Sequence, residues 1–557
     1  MLKLKSWHYL LIFNVFIFNT AIAATPNLSE TSLIKYSLQK KEKFCTMQLI
    51  CQARVNVEEF YQLRKFTPAW TNTDYLSDLG QKAVQTLTNA YQNGLNPNKY
   101  HINEINNLLA QLNSDNTPDN QIDGLLASLD ITITDGLALY ERDVYYGTLD
   151  TKKIFPYWVN NKKPINLTQE LVNATEDPDA TIKNLEPKFP GYAKLQKFLI
   201  EYQGIARDGG FPLVPESNTL SIGDKGDVVK ALQERLLVSG ELPAINKPGK
   251  FDSNLQQAVI QFQDNNGLYD DGVVESQTLK ALNTSVDDRI KLIELNLDKM
   301  RLLPQNLGPD YLFVNLPSFS LNVVHNGKKF INMEVAVGGV EHPSCVLNSQ
   351  IQYLVLNPYW NIPAHIAQDE IWVSVKKNKD YLKQKHVQVL KKNNHGDYVP
   401  INVDKFNWNT ISVKEFNSYR FRQEPSDENA LGKVKFMFPN QCGMYLHSTN
   451  ESELFDAYQR DFSHGCVRVN QPLNLTTFIL NIQKQWSSAK VSNMYQKDFN
   501  KTIHLVKPFN LYLFYLTALD NDSGWVQFRK DIYDLDKSAI NNYSVNLAPS
   551  NNSVKDN

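Results

Sequence analysis

Around Pro304 the apolar residues change their period, and this divides the chain into two kinds of structure. Up to DDRIKLIELNLDKMRLLP (Asp287–Pro304) the spacing is helical, whereas from Tyr311 onward YLFVNL, FSLNVVH and KKFINMEVAVGG alternate apolar and polar residues. A period of two is that of strands with one face in a core, and Asn326-Gly327 between the second and third is a hairpin signal. Further strands are expected at QIQYLVLN, KVKFMF and GMYLHST, with a last pair, KTIHLVKPFNLYLFYLTALD and GWVQFRKDIYD, joined across DNDSG. At 557 residues the chain is too long for one core and must be modular. A formal charge of -2 and a pI near 6.6 provide no positive footprint for nucleic acid.

The first residues carry Lys3 and Lys5, an apolar run, then Ala21 and Ala23 in an A-x-A arrangement, so residues 1–23 read as a secretory signal peptide; the run is short for a membrane span, although an uncleaved anchor stays open. Export to the periplasm places five cysteines in an oxidising compartment, where an odd count leaves at least one unpaired. Cys45 and Cys51 are close enough to bridge locally; Cys345 and Cys442 either pair or stay buried. Residues 24–215 are mostly helical with no clustered catalytic groups, the pattern of a scaffold.

Residues 216–284 form a compact unit. Val229, Leu232 and Leu236 share one helix face, Leu255, Val259 and Phe262 share another, and a third short helix fits SQTLKALN. Gly223, Gly226, Leu232-Gln233, Ala258-Val259, Phe262-Gln263 and Asp271–Val274 resemble the three-helix peptidoglycan-binding module, with Glu275 where that family usually has glycine. Residues 285–310 read as a helical linker, 311–537 as a mainly-β catalytic domain with an inserted lid at about 360–431, and 538–557 as a disordered tail. The expected fold is thus multidomain α+β.

The chemistry is expected at Ser463–Val469, SHGCVRV. A thiol attacks as its thiolate, yet an unperturbed cysteine is only about 3% ionised at pH 7. Lowering its pKa by about 2.5 units takes about 3.4 kcal/mol, which one imidazolium and backbone N–H donors can supply. His447, at a strand end, is the better base than His464, because a backbone carbonyl near Ser448 can accept its other N–H. Amides around Gly465 and Cys466 can form an oxyanion hole. One cysteine and two histidines also fit part of a zinc site, but no fourth ligand lies nearby, so no metal or other cofactor is expected.

MYLHST followed by SHGCVRVN resembles the signature of the L,D-transpeptidase catalytic domain, and LNPYWNIP, FRQEPSDENALGKVKFMFPN and VNQPLNLTTFIL extend the likeness to the large periplasmic, peptidoglycan-cross-linking members. The resemblance implies Cys466 as nucleophile, His447 as proton acceptor and donor, Gly465 and Ser448 as oxyanion and orienting groups, and Ser463, His464, Arg468, Tyr359 and Trp360 as substrate-binding groups. It implies a tetrapeptide donor stem, a cysteinyl thioester, release of D-alanine, a 3-3 cross-link, acylation by carbapenems, and peptidoglycan, with other wall-synthesis proteins, as partners. A stem-trimming carboxypeptidase, a transferase joining protein to wall, and an inert wall-binding scaffold remain alternatives.

Overall fold

The computed structural model describes residues 29–39, 51–73, 75–404, 406–497, 499–521 and 523–543. The segment expected to be a signal peptide and Cys45 lie outside them; Cys51 itself is disulfide-bonded. The chain forms two compact units, one from residues up to Gln85 with Tyr100–Leu139 and Leu167–Asp179, the other from Thr86–Lys99, Tyr140–Asn166 and everything after Ala180. The helical region expected as a single scaffold over 24–215 is therefore divided between them.

The first unit is helical, and a buried carboxylate organises its centre. Asp130 accepts the backbone N–H groups of Ala69, Trp70 and Thr71 and the Tyr61 hydroxyl, so the charge is held by donors from two other segments.

In the second unit the three-helix module comprises Asp227–Val238, Ser253–Asn265 and Ser276–Leu282 around Leu232, Leu236, Leu255, Val259 and Phe262. Its two motif glutamines are buried braces. Gln233 donates to the carbonyls of Lys247 and Lys250 and accepts from Gly249 N–H, while Gln263 donates to Val273 O and accepts from Gly272 N–H. Each amide replaces the backbone partners that its loop lacks.

The domain that follows Pro304 is a mixed sheet that closes on itself. Its strands are β1 (Tyr311–Asn315), β2 (Ser320–His325), β3 (Lys328–Gly338), β4 (Leu347–Leu356), β9 (Val434–Met437), β10 (Leu446–His447), β11 (Asp461–Ser463), β12 (Val467–Val469) and β13 (Lys501–Phe514). The order β3–β12–β10–β9–β4–β13–β1–β2 returns to β3 through the β2–β3 hairpin, whose Asn326 and Gly327 have φ of 50° and 73°. The segment between β4 and β9 carries a separate sheet, β5–β8–β6–β7 (Trp360–Ile362, Arg420–Gln423, Val387–Lys392, Tyr398–Ile401), with its own core of Trp408, Phe416, Tyr419 and Phe421.

Three expectations need correction. The helix Val286–Met300 is not a bare connector: Ile290, Ile293, Leu297 and Met300 are fully buried in the large apolar cluster that also takes in Leu195 and Leu199 of the helix Pro190–Arg207. Residues 501–514 do not form the last hairpin but enter the main sheet, antiparallel to β4 and parallel to β1; only β14 (Ala518–Asp520) and β15 (Val526–Phe528) pair across the turn. Order also continues past 538, through the helix Leu535–Ala539 to Tyr543, whose hydroxyl donates to Asp298.

Candidate active site

Two short parallel strands bring the expected thiol and imidazole to one cleft. β10 and β12 pair with Leu446 opposite Val467 and His447 opposite Arg468, which sets Cys466 level with Tyr445. Side chains alternate along each strand, so Leu446 and Val467 enter the core, fully buried, while Tyr445, His447, Cys466 and Arg468 all line a cleft of about 840 Å³. The insertion supplies the facing wall, with Trp360, Ile366, Glu370, Ile371 and Tyr381.

His447 is buried and its tautomer is fixed. Nδ1 lies 2.5 Å from the Ser448 carbonyl oxygen, which can only accept, so Nδ1–H donates and Nε2 is left as the basic nitrogen. The Ser448 hydroxyl holds this turn by donating to Leu431 O and accepting from Val434 N–H. Gly432 makes that approach possible: its φ is +58° and a Cβ there would stand 2.3 Å from Ser448 Oγ. Burial, with the Arg468 charge as second cause, pushes the imidazole down to about 3.

Cys466 is the one free cysteine among the described residues. It follows Gly465, whose φ of +99° belongs to the left-handed region. Burial pushes its thiol up, against the opposing pull of hydrogen bonds from Tyr445 and the charges of Arg468 and Lys435. Burial thus disfavours the charged form of each group, working against the thiolate–imidazolium pair expected from the sequence.

The loop around the thiol is tied from within. Ser463 Oγ donates to Cys466 O at 2.6 Å and accepts from Gly465 N–H at 3.2 Å. Ser463 and Gly465 both line the cleft, and within it the Ser463 hydroxyl ties the loop and already engages the Gly465 amide. Ser344, which the sequence did not single out, accepts from Gly338 N–H and donates to Gly465 O at 2.7 Å, fixing the loop from behind. Cys345 next to it is disulfide-bonded to Cys442, and both half-cystines line the cleft.

The remaining expected contacts divide. Trp360 lines the cleft and hydrogen-bonds the Tyr445 hydroxyl, which also bonds Cys466. Tyr359, its neighbour, is 37% exposed and stacks under Arg422 at 4.8 Å, outside the cleft lining. Arg468 lines the cleft but Nη1 bonds Glu451 at 2.9 Å, while its buried Nε has no partner. His464 stacks on His342 with ring centroids 5.2 Å apart and faces Glu370 at 3.6 Å. Despite these imidazoles, no group of metal-ligating side chains with coordinating geometry occurs among the described residues.

A helical region, a three-helix module and a closed sheet with a thiol–imidazole cleft define a multidomain α+β chain of one organisation. Residues 309–485 match the model described as "L,D-transpeptidase catalytic domain", 225–282 that described as "Putative peptidoglycan binding domain", and 55–199 a "Scaffold domain". A curated Haemophilus influenzae protein, "Putative L,D-transpeptidase", is 28% identical over 281 residues, 49% of this chain and 54% of that protein. The chain thus spans about half the length of that relative. Among solved structures, the L,D-transpeptidase of Xylanimonas cellulosilytica is 16% identical, over 54% of this chain and 99% of that one, with a TM-score of 0.17. That of Stackebrandtia nassauensis is 14% identical over 54% and 96%, with a TM-score of 0.21.

Proposed function

We propose that the protein is an exported, cysteine-dependent L,D-transpeptidase that forms 3-3 cross-links between peptidoglycan stems in the periplasm. The observation that carries this reading is the cleft shared by Cys466 and His447, inside a domain of that family. Because burial disfavours the charged form of each group, the proton moves during attack rather than before it. Cys466 Sγ adds to the carbonyl of the third stem residue while His447 Nε2 takes the thiol proton. The Cys466 N–H, which has no hydrogen-bond partner among the described residues, and the Tyr445 hydroxyl are the donors available to the oxyanion. Collapse of the tetrahedral adduct expels D-alanine, its nitrogen taking the proton from His447, and leaves a thioester.

A second stem's side-chain amine then attacks that thioester, His447 takes the amine proton, and the thiol is restored. Water competes at this step; the inserted sheet above the cleft serves as a lid that excludes it. Ser448 acts by orienting His447, and Ser463 and Ser344 by holding the nucleophile's loop. His464, Arg468 and Trp360 are the cleft groups that meet the stem, and the three-helix module holds the chain on the polymer.

The test is mass spectrometry of muropeptides after incubating the mature protein with tetrapeptide-bearing wall fragments. Wild-type protein yields 3-3 dimers and D-alanine. Tripeptide monomers without dimers would replace the transferase reading with a hydrolytic one, and unchanged fragments would remove the enzymatic reading altogether.

A further inference from the structure

Away from the active-site cleft, a cavity of about 200 Å³ opens where the three-helix module meets the helices Pro190–Arg207 and Val286–Met300 and the β14–β15 hairpin. Its volume is that of about six or seven water molecules at ~30 Å³ each. Two arginines line it, and both are more than nine-tenths buried: Arg235 at 2% exposure and Arg289 at 8%. Burying a guanidinium is costly unless its donors are met.

Those of Arg289 are met in part, by Asn266 Oδ1 at 2.5 Å and Ala281 O at 3.3 Å. Those of Arg235 are not: Nε donates to Leu282 O at 2.7 Å, but Nη1 is buried with no hydrogen-bond partner. Aromatic faces hold both planes in position. Phe211 lies 3.7 Å from the Arg235 guanidinium and Phe528 4.2 Å from that of Arg289. Neither arginine forms an ion pair within salt-bridge distance among the described residues, although Glu241 stands close enough to act on Arg235 electrostatically. Both Glu241 oxygens are engaged, by Ser239 Oγ and by Asn265 Nδ2 at 3.2 Å.

The lining is two-signed. Arg235 and Arg289 line it beside two carboxyl groups, the buried Glu241, whose charge burial disfavours and the neighbouring arginine favours, and the exposed Glu201. Tyr202, Phe528 and Trp525 provide flat apolar surface. The Trp525 indole closes over the end of the module's first helix, its edge 3.6 Å from where a Cβ on Gly240 would stand. A fixed fork of N–H donors suits a carboxylate, and a carboxylate nearby suits an ammonium one or two bonds away.

We propose that this cavity is a second binding site, for an α-amino carboxylate whose carboxylate lies on Arg235 and Arg289 and whose ammonium faces Glu241 and Glu201. The same zwitterion occurs as a free amino acid and as the end of a diamino acid side chain in a peptide stem. The inference does not depend on the acyl-transfer reading, since no Cys466 chemistry enters it.

The test is calorimetric titration of the full-length protein with D-alanine and, separately, with diaminopimelic acid. Propionate and inorganic phosphate serve as ligands that keep the negative charge and lack the ammonium. Saturable binding of either amino acid is expected, at least about tenfold tighter than propionate or phosphate, as the loss of one charge-assisted contact implies. Tighter binding of D-alanine identifies a free amino acid as the occupant; tighter binding of diaminopimelic acid identifies a stem.

Arg235→Lys and Glu241→Gln should each weaken binding at least about tenfold while D-alanine release from wall fragments is unchanged. If the arginine variant fails to fold, the isosteric Glu241→Gln decides alone. Saturation by neither amino acid at millimolar concentration, equal binding of propionate or phosphate, or an unaffected Glu241→Gln variant would each overturn the site.

Discussion

Replacing Cys345 and Cys442 together by serine opens a covalent loop whose ends are 97 residues apart in sequence. Within that loop lie β4, the whole inserted sheet and β9, so the bridge closes the neck from which the insertion rises. Chain-entropy reasoning assigns a crosslink over about 100 residues roughly 4.7 kcal/mol, and native disulfides commonly contribute about 2–5 kcal/mol. At 1.36 kcal/mol per decade, the full value corresponds to about a 3000-fold change in the equilibrium for opening the domain. A single melting temperature is a poor readout for a chain of two units. Hydrogen exchange read on peptides from β4, β9 and β13 reports the catalytic domain alone. Protection there should fall by about one and a half to three and a half decades in the double variant, about 30- to 3000-fold. Peptides from the first unit should be unaffected. A loss below about tenfold in all three strands would refute the reasoning, because the insertion would then hold its own ends together without the crosslink.

The acid dependence follows from His447: its folded value of about 3 lies below the ordinary 6.5, so the unfolded chain takes up the proton first and stability falls as pH drops below 6.5. Between pH 6.5 and 5 this amounts to about 2 kcal/mol, visible as a fall in the urea midpoint that His447→Gln should abolish; the same fall in the variant would refute it. Cys466→Ala should lose D-alanine release and the adduct with a carbapenem by intact-protein mass spectrometry, with circular dichroism unchanged. Gly432→Ala should push Ser448 from its place and cost about 1–3 kcal/mol, with acylation slowed more than binding, as measured by separate kcat and KM; wild-type kinetics would show that the turn tolerates the methyl.

What could be read from the residues was local. Period-two alternation located β1 to β3, Asn326-Gly327 marked their hairpin, and helical spacing outlined the module. Long-range pairing was not legible: nothing within Lys501–Phe514 announces that it joins β4 and β1 instead of its neighbour across the turn, because register is decided by partners far away in sequence. The helix Val286–Met300 looked like a connector because amphipathic spacing says which face is apolar but not what covers it. At the site, residue types were legible and their occupancy was not. Tyr359 and Trp360 are adjacent in an extended segment and so point opposite ways, which excludes one of them from the cleft. The sequence does not show that the Gly465 amide already meets the Ser463 hydroxyl, nor that burial works against the charge of both Cys466 and His447.

A reactive sulfur and a crosslink share one cleft, since Cys466 lines the same walls as Cys345 and Cys442. Thiol–disulfide exchange proceeds through the ionised thiol, so a nucleophile kept permanently charged would be a standing hazard to its neighbour. Burial works against that hazard, because it pushes the Cys466 thiol up and so favours its protonated form. The burial that shapes this cleft therefore also guards the crosslink beside Cys466 from scrambling.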